Sequence, residues 1–436
     1  MDDRARAEAI EFTSDLIRFD TSNYGPGTEG PGERDAADYV AAKLDEVGIE
    51  SFMVESEPRR TSLVARWEPE GTDMTRPPLL VHGHLDVVPA LAEEWSLDPF
   101  SGEVKDGCIW GRGAIDMKNF DAIMLAVVRD RIRTNRPPRR PIRLAFTADE
   151  EAGGPLGSVW LARNHPSLID DCTQAVGEVG GFSLTVKGQR LYLIQTAEKG
   201  LAWLKLIVEG TAGHGSMRNA DNAITELARI VSDLGAHTWP TNLHPAQQAF
   251  LDAVSGALGV DITTDNVEET LTHLGSISRM VGATMSHTIN PTMLQAGYKA
   301  NVIPSTATAT LDGRYLPGRR EEFFETLRQV IGEKARLEIL NEQPSVEARW
   351  GTPLTDAMGR AIHDFDPEAT MTPYIMSAGT DAKGWCELGI ECYGFVPLKL
   401  PADFDFVGKF HGVDERVPID SLGFAVDVFD RFLDLA

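Results

Sequence analysis

Two histidines and three acidic residues stand in settings that suit a pair of divalent metal ions sharing one carboxylate. They are His84 in Leu79-Leu-Val-His-Gly-His-Leu-Asp-Val-Val-Pro89, Asp116 in Gly111-Arg-Gly-Ala-Ile-Asp-Met-Lys118, and Glu151 in Thr147-Ala-Asp-Glu-Glu151. Glu178 in Val176-Gly-Glu-Val-Gly-Gly-Phe182 and His411 in Phe410-His-Gly-Val-Asp-Glu-Arg416 complete the set. Imidazole and carboxylate are the ligands of zinc and similar metals. A shared carboxylate can hold two such ions about 3.5–4 Å apart, where both act on one substrate. The chemistry this points to is hydrolysis.

Each residue gains meaning from its neighbours. On an extended backbone His84 and Asp86 project to one face. Asp86 is therefore placed to accept the second N–H of His84, which fixes the ring and raises its basicity. Glu150 and Glu151 are adjacent at the end of a strand and point in different directions. One can bind metal while the other acts as a general base beside it. Asp116 in its glycine-rich turn and Glu178 before Gly180-Gly181 would each, alone, read as ordinary turn or loop carboxylates. Their order and company raise them to ligands.

The elements around these residues alternate. Helical patterns at 35–47, 120–133 and 157–164 are interleaved with extended patterns at 51–56, 62–67, 78–82 and 142–147. Such alternation implies an α/β layered sheet. The apolar runs at 79–81 and 142–146 lead straight into ligand segments, and sites in α/β sheets sit just past strand C-termini. From about residue 196 the pattern becomes β-α-β-β-α-β, with strands at 201–209, 293–299, 305–313 and 335–340 and helices at 220–235 and 320–332. That succession implies a ferredoxin-like unit. Residues 238–283 read as an insertion of short helices and loops. After about residue 344 the chain returns to the first unit, because His411 must join the other ligands.

The bulk properties exclude several classes. The 436 residues suggest two or three domains. The net charge of −25, from 66 acidic and 41 basic residues, argues against nucleic acid as the main partner. Seven arginines between Arg129 and Arg143, broken by Pro137, Pro138 and Pro141, read as a solvated helix end and loop. No apolar run approaches the roughly 18 residues of a membrane span. The N-terminus leads into an amphipathic helix pattern and not a signal peptide. Cys108, Cys172, Cys386 and Cys392 show no metal-type spacing and suggest reduced thiols in a cytoplasmic protein.

The segments and their order closely resemble the co-catalytic zinc metallopeptidase family of aminoacylase, acetylornithine deacetylase, succinyl-diaminopimelate desuccinylase and glutamate carboxypeptidase. The resemblance covers nearly the whole chain and extends to Gly213-His-Gly-Ser216, Asn301-Val-Ile-Pro304, Asp312-Gly-Arg-Tyr-Leu-Pro-Gly318 and Gly379-Thr-Asp381. It implies an α/β/α sandwich metal-binding domain at 1–195 and 345–436, interrupted by a ferredoxin-like α+β lid and dimerisation domain at 196–344. It implies two divalent ions per chain, zinc with cobalt or manganese as substitutes. His84 and Glu178 would bind one, Glu151 and His411 the other, and Asp116 both. Asp86 would orient His84 and Glu150 would be the base. His214 would reach across a homodimer to stabilise the oxyanion. Asn301 and Arg314 would hold the substrate carboxylate and nearby atoms, and Gly379 and Thr380 would line the pocket.

The implied activity is cleavage of the amide bond in small N-acyl amino acids or dipeptides with a free carboxylate. Glu at 178 resembles the aminoacylase and carboxypeptidase branches, whereas the desuccinylase branch tends to carry Asp there. A biosynthetic desuccinylase or deacetylase is the alternative chemistry. A non-catalytic binding homologue is opposed by retention of every ligand and the base. An aminopeptidase is opposed by Arg314, since a buried guanidinium calls for an anion. Many relatives lack a residue between the Glu and the glycine pair, where this chain has Val179.

Overall fold

The runs Leu79–His84 and Ile142–Thr147 are buried at every position. Near-continuous burial suits strands covered on both faces. In this computed structural model, which describes residues 3–263, 266–271 and 277–436, they pair in parallel inside a ten-stranded mixed sheet. The strand order is Ser51–Glu57, Arg60–Trp67, Ile142–Thr147, Leu79–His84, Gln174–Gly177, Glu391–Gly394, Gln189–Glu198 and Val346–Glu347. Strands Thr370–Met376 and Phe182–Val186 also pair with Gln189–Glu198.

Alternation along the central strand sorts the covering helices. Leu79 and Val81 join one apolar cluster with Phe12, Phe120 and Phe429, from helices Asp3–Arg18, Lys118–Arg133 and Ile419–Leu435. Leu80 faces the other way, with Leu161 and Trp385 from helices Ser158–Asn164 and Ala382–Trp385. The result is the α/β/α layering expected from the sequence. Among the described residues, no helix is long and apolar enough to cross a membrane.

The arginine-rich stretch is only partly a solvated surface, with Arg133 and Arg139 exposed. Arg129, Arg131, Arg140 and Arg143 are buried. Arg131 pairs with Asp430 at 2.9 Å and Asp434 at 2.7 Å, and Arg129 with Glu8 at 3.3 Å and Glu46 at 2.7 Å. Guanidinium groups are buried where carboxylates meet them. Here the partners of Arg131 come from the C-terminal helix, and those of Arg129 from the N-terminal helix and the end of helix Arg34–Asp45, which the local pattern could not show.

The second sheet is antiparallel, in the order Thr288–Ala296, Thr306–Tyr315, Gly200–Glu209 and Ala335–Gln343. Helices Ala223–Ala236 and Arg320–Ile331 lay Leu227, Ile230, Phe323 and Leu327 on its Leu204, Leu206 and Leu311. This is the ferredoxin-like β-α-β-β-α-β succession. The chain passes from the large sheet to this one at Lys199 and returns between Gln343 and Val346. The crossing is tight: a Cβ on Gly200 would lie 2.1 Å from the Tyr315 ring.

Part of the expected insertion behaves differently from a set of short pieces. Helix Pro245–Leu258 has 14 residues and packs Phe250, Leu251 and Val254 into the core of the large sheet. The segment assigned to the lid thus returns partway to the main body. Residues 264–265 and 272–276 of the insertion lie outside the described residues.

Candidate metal centre

Parallel strands deliver most of the ligand residues to one edge. His84 ends strand Leu79–His84, and Glu178 follows Gln174–Gly177 directly. After Ile142–Thr147, Asp149 adopts a left-handed backbone (φ 64°) and starts the turn that presents Glu150 and Glu151. Asp tolerates that region better than most side chains. Asp116 precedes helix Lys118–Arg133, and His411 (φ 55°) comes from the loop before Arg416–Pro418.

Asp116 lies between the two histidines. Its Oδ1 is 3.2 Å from His84 Nε2 and its Oδ2 3.3 Å from His411 Nε2. Glu178 Oε2 is 3.4 Å from His84 Nε2, and Glu151 Oε2 is 3.0 Å from His411 Nε2. Two triads result, His84–Asp116–Glu178 and Asp116–Glu151–His411, with ligand atoms within 4.8 Å of one another in each. Glu150 Oε2 lies 3.8 Å from His84 Nε2 and belongs to neither triad.

The electrostatics show what such a set requires. Burial pushes the Glu178 carboxyl up to about 8, against the opposing pull of His84. Burial and then Glu178 hold Glu150 well above the carboxylate range, and burial with Asp116 raises Glu151. Burial opposes charge on His84, but Glu178, Asp116 and Glu150 outweigh it and raise its pKa well above the ordinary value. Hydrogen bonds donated to Asp116 and Glu151 raise His411 to about 10. Carboxylates crowded out of water need cations. The donor set, imidazole with carboxylate and one carboxylate common to both triads, fits two divalent ions of the zinc type.

The surrounding layer differs in detail from the expected one. The ring of His84 meets Asp86 through the backbone carbonyl, at 2.9 Å from Nδ1; the Asp86 carboxylate is 3.7 Å away. That carboxylate instead accepts the backbone N–H groups of Glu150 at 3.0 Å and Glu151 at 3.1 Å, and Asn23 Nδ2 at 2.9 Å. A turn with unpaired N–H groups attracts a carboxylate more strongly than one imidazole N–H does. Asp86 thus holds the Glu150–Glu151 turn. Asn23 Nδ2 also reaches Asp149 at 3.0 Å. Glu415 ties the two outer loops together: it accepts Arg112 at 2.8 Å and the N–H groups of Gly113, Ile115 and Asp116 at 3.1, 2.6 and 3.1 Å. Glu415 was visible beside the His411 motif, but Asn23, far upstream in a glycine- and proline-rich loop, carried no sequence signal.

A cavity of about 550 Å³ opens over Asp116, Glu150, Glu151, Glu178 and His411. Arg314, Gly379 and Thr380 line it, with Leu201 and Trp203 beside Arg314 and Phe182, Val407 and Phe410 beside the ligands. Arg314 is not a bare buried cation: its Nε and Nη2 pair with Asp312 at 2.7 and 3.1 Å, and it is 26% exposed. The Gly379–Thr380 loop is held from behind. Thr380 donates from Oγ1 and N to the buried Glu198, and Lys383 Nζ donates to Lys199 O and Pro344 O, both at 2.7 Å. Lys383 therefore binds both chain crossings between the sheets.

His214 and Asn301 lie elsewhere. They sit on a two-stranded ribbon, His214 opposite Val302, with Asn301 O accepting Gly215 N–H at 2.9 Å. Both are exposed and neither lines the cavity. Val179, the extra residue after Glu178, takes a left-handed backbone (φ 50°), and Tyr374 OH donates to its carbonyl. A β-branched residue strains in that region, so the loop is held by its contacts.

The charge pattern predicts a pH response for chelator-treated protein. When folded, Glu178 stays protonated up to about 8, whereas unfolded Glu ionises above about 4.3. When folded, His411 stays charged up to about 10, whereas unfolded His loses its proton above about 6.5. Both stabilising contributions are present at low pH and are lost as pH rises through that window. The calorimetric melting midpoint of the metal-free protein should fall between about pH 5 and 10, while zinc affinity rises as ligand protons leave. A midpoint that climbs with pH would contradict these assignments.

Comparison with known proteins follows the same lines. The family model for Peptidase family M20/M25/M40 matches residues 80–435. N-fatty-acyl-amino acid synthase/hydrolase PM20D1 of Xenopus tropicalis is 28% identical over 385 residues, covering 84% of this chain and 73% of the relative. Probable carboxypeptidase S-like 2 of Dictyostelium discoideum is 30% identical over 393 residues, with the same coverage of 84% and 73%. The M20 family metallo-carboxypeptidase Sso-CP2 of Sulfolobus solfataricus shares the fold, with a TM-score of 0.73 at 19% identity over 100% of this chain and 99% of the other. Its sheet edge, its doubly faced Asp116 and its family match together identify this chain as a member of Peptidase family M20/M25/M40.

Proposed function

We propose that the chain is a di-zinc amidohydrolase that cleaves small N-acyl amino acids or dipeptides carrying a free carboxylate. The observation that carries this reading is Asp116, whose two oxygens face two different histidines, with Glu150 beside them but outside both triads. The activities named for the frog and Dictyostelium relatives, on N-fatty-acyl amino acids and as a carboxypeptidase, support the substrate class.

Two zinc ions held by His84, Glu178, Asp116, Glu151 and His411 would supply Lewis-acid charge and lower the pKa of attacking water. Glu150 takes the proton of that water and delivers it to the leaving amine. Arg314 receives the substrate carboxylate on the cavity wall, and Gly379 and Thr380 border the bound molecule. Asp86 keeps the base and its neighbouring ligand in register through their N–H groups.

The segment 196–344 serves as lid and dimerisation unit in this reading. Strand Thr288–Ala296 is the last in its sheet and exposes Met293 at 53% and Leu294 at 62%. An exposed apolar edge strand favours pairing with another chain. His214, exposed and away from the cavity of its own chain, is then supplied to the partner's oxyanion. The four free cysteines support a reducing, cytoplasmic setting.

Substitution separates the two adjacent glutamates. Glu150→Gln should cost at least about a hundredfold in turnover with near-normal zinc content, whereas Glu151→Gln should lower zinc content. The opposite result would exchange their roles. Mixed dimers test His214: His214→Ala and Glu150→Gln chains should each be inactive alone, and their heterodimer should regain one working site. Verified heterodimers without recovery would place His214 in its own chain's site or outside the reaction.

Arg314 sets the carboxylate preference. Because Asp312 and solvent already share its charge, amidating the substrate carboxylate should cost about 1.5–3 kcal/mol, the range of a charge-assisted hydrogen bond. Arg314→Met should erase most of that difference with zinc content unchanged. Equal rates on amidated and free substrates in the native enzyme would remove Arg314 from substrate recognition.

A further inference from the structure

Behind the substrate cavity lies a second, much smaller one with room for about 10 Å³, on the order of one water. Ile115, Met117, Val396, Leu398 and Phe406 line it, and Asn119 is its polar exception besides the ligands. The two cavities share five lining residues: Asp116, Glu178, Val179, Phe182 and Phe410. Three of these are apolar, and they form the part of the common wall that makes no hydrogen bond through its side chains.

The wall is an aromatic stack that also braces two ligand segments. Phe182 packs on Phe406 with ring centroids 4.6 Å apart, and Phe406 meets Phe410 edge-on at 5.0 Å. Phe182 follows the Glu178 loop, and Phe410 immediately precedes His411. A substrate whose carboxylate meets Arg314 and whose scissile carbonyl lies over the triads extends its acyl group onward from that carbonyl. The apolar surface flanking the ligands there is Phe182, Val407 and Phe410.

We infer that Phe182 and Phe410 form a partition that limits the length of the acyl group, separating the substrate cavity from the apolar pocket behind it. This rests on the amidohydrolase reading and adds to it the residues that set acyl-chain specificity. The rings stop a long chain at the wall. Trimming either ring joins the two spaces and adds room for about one or two carbons toward Met117, Val396 and Leu398. An apolar pocket discriminates steeply by chain length, about tenfold or more for a single methylene.

The test is kcat/KM of the zinc-loaded enzyme on one amino acid acylated with acetyl, butanoyl, hexanoyl and octanoyl groups. Phe182→Leu and Phe410→Leu should each raise the hexanoyl-to-butanoyl ratio at least about tenfold, and Phe410→Trp should lower it. Zinc content and thermal melting verify that each variant is folded. Phe182 is 2% exposed and anchors the core, so Phe410→Leu, at a half-buried position, decides the matter if the Phe182 variant does not fold. A general loss of activity from loosened packing lowers both rates and leaves the ratio unmoved. An unmoved ratio in folded variants of an enzyme that does hydrolyse the series overturns the partition alone. A native enzyme that hydrolyses none of the series overturns the partition, and one that also cleaves no dipeptide with a free carboxylate overturns the amidohydrolase reading with it.

Discussion

Asp116 is held between His84 and His411 while Glu150, Glu151 and Glu178 crowd around the same small volume, all poorly accessible to water. Carboxylates in such a place repel one another and resist ionisation, as the raised pKa values of Glu150, Glu151 and Glu178 show. Bringing them together is therefore unfavourable unless positive charge accompanies them. The two imidazoles are one source, and two divalent ions suit the geometry better. Much of the neighbouring structure serves to keep these groups in place against that repulsion.

The support is built from hydrogen bonds to backbone. Asp86 grips the N–H groups of the Glu150–Glu151 turn, and Glu415 grips those of Gly113, Ile115 and Asp116 while paired with Arg112. Each of these carboxylates is itself buried, so its orientation is over-determined. Such a frame allows a ligand side chain to stay where its charge alone would not leave it, a condition for metal affinity and for a correctly aimed base.

The opposite wall of the cavity is assembled from a different sheet. Arg314, Leu201 and Trp203 belong to the antiparallel sheet, and the ligands to the edge of the large one. Lys383 joins the two by bonding Lys199 O and Pro344 O, while Glu198 holds Thr380. The cavity wall and the candidate metal centre therefore meet at one narrow junction. A shift of the antiparallel sheet would move Arg314 relative to the candidate ligands and pull on the loop that borders the cavity.

The candidate ligands were legible in the chain because strand periodicity, strand-end turns and metal-ligand residue types are local properties. His84 after Leu-Leu-Val, and Glu150-Glu151 after Ile-Arg-Leu-Ala-Phe, announce a sheet edge without any knowledge of what lies opposite. The β-α-β-β-α-β order of the second unit was readable for the same reason. What tertiary structure alone decided are contacts between distant segments. They include the turn-holding use of Asp86, the Asp312 partner that shares Arg314, and the buried pairing of Arg131 with the C-terminal helix. They also include the aromatic wall formed where residues 182, 406 and 410 meet. A side chain's type limits what it can bond to, but its actual partner depends on which other segment the fold places within about 3 Å of it.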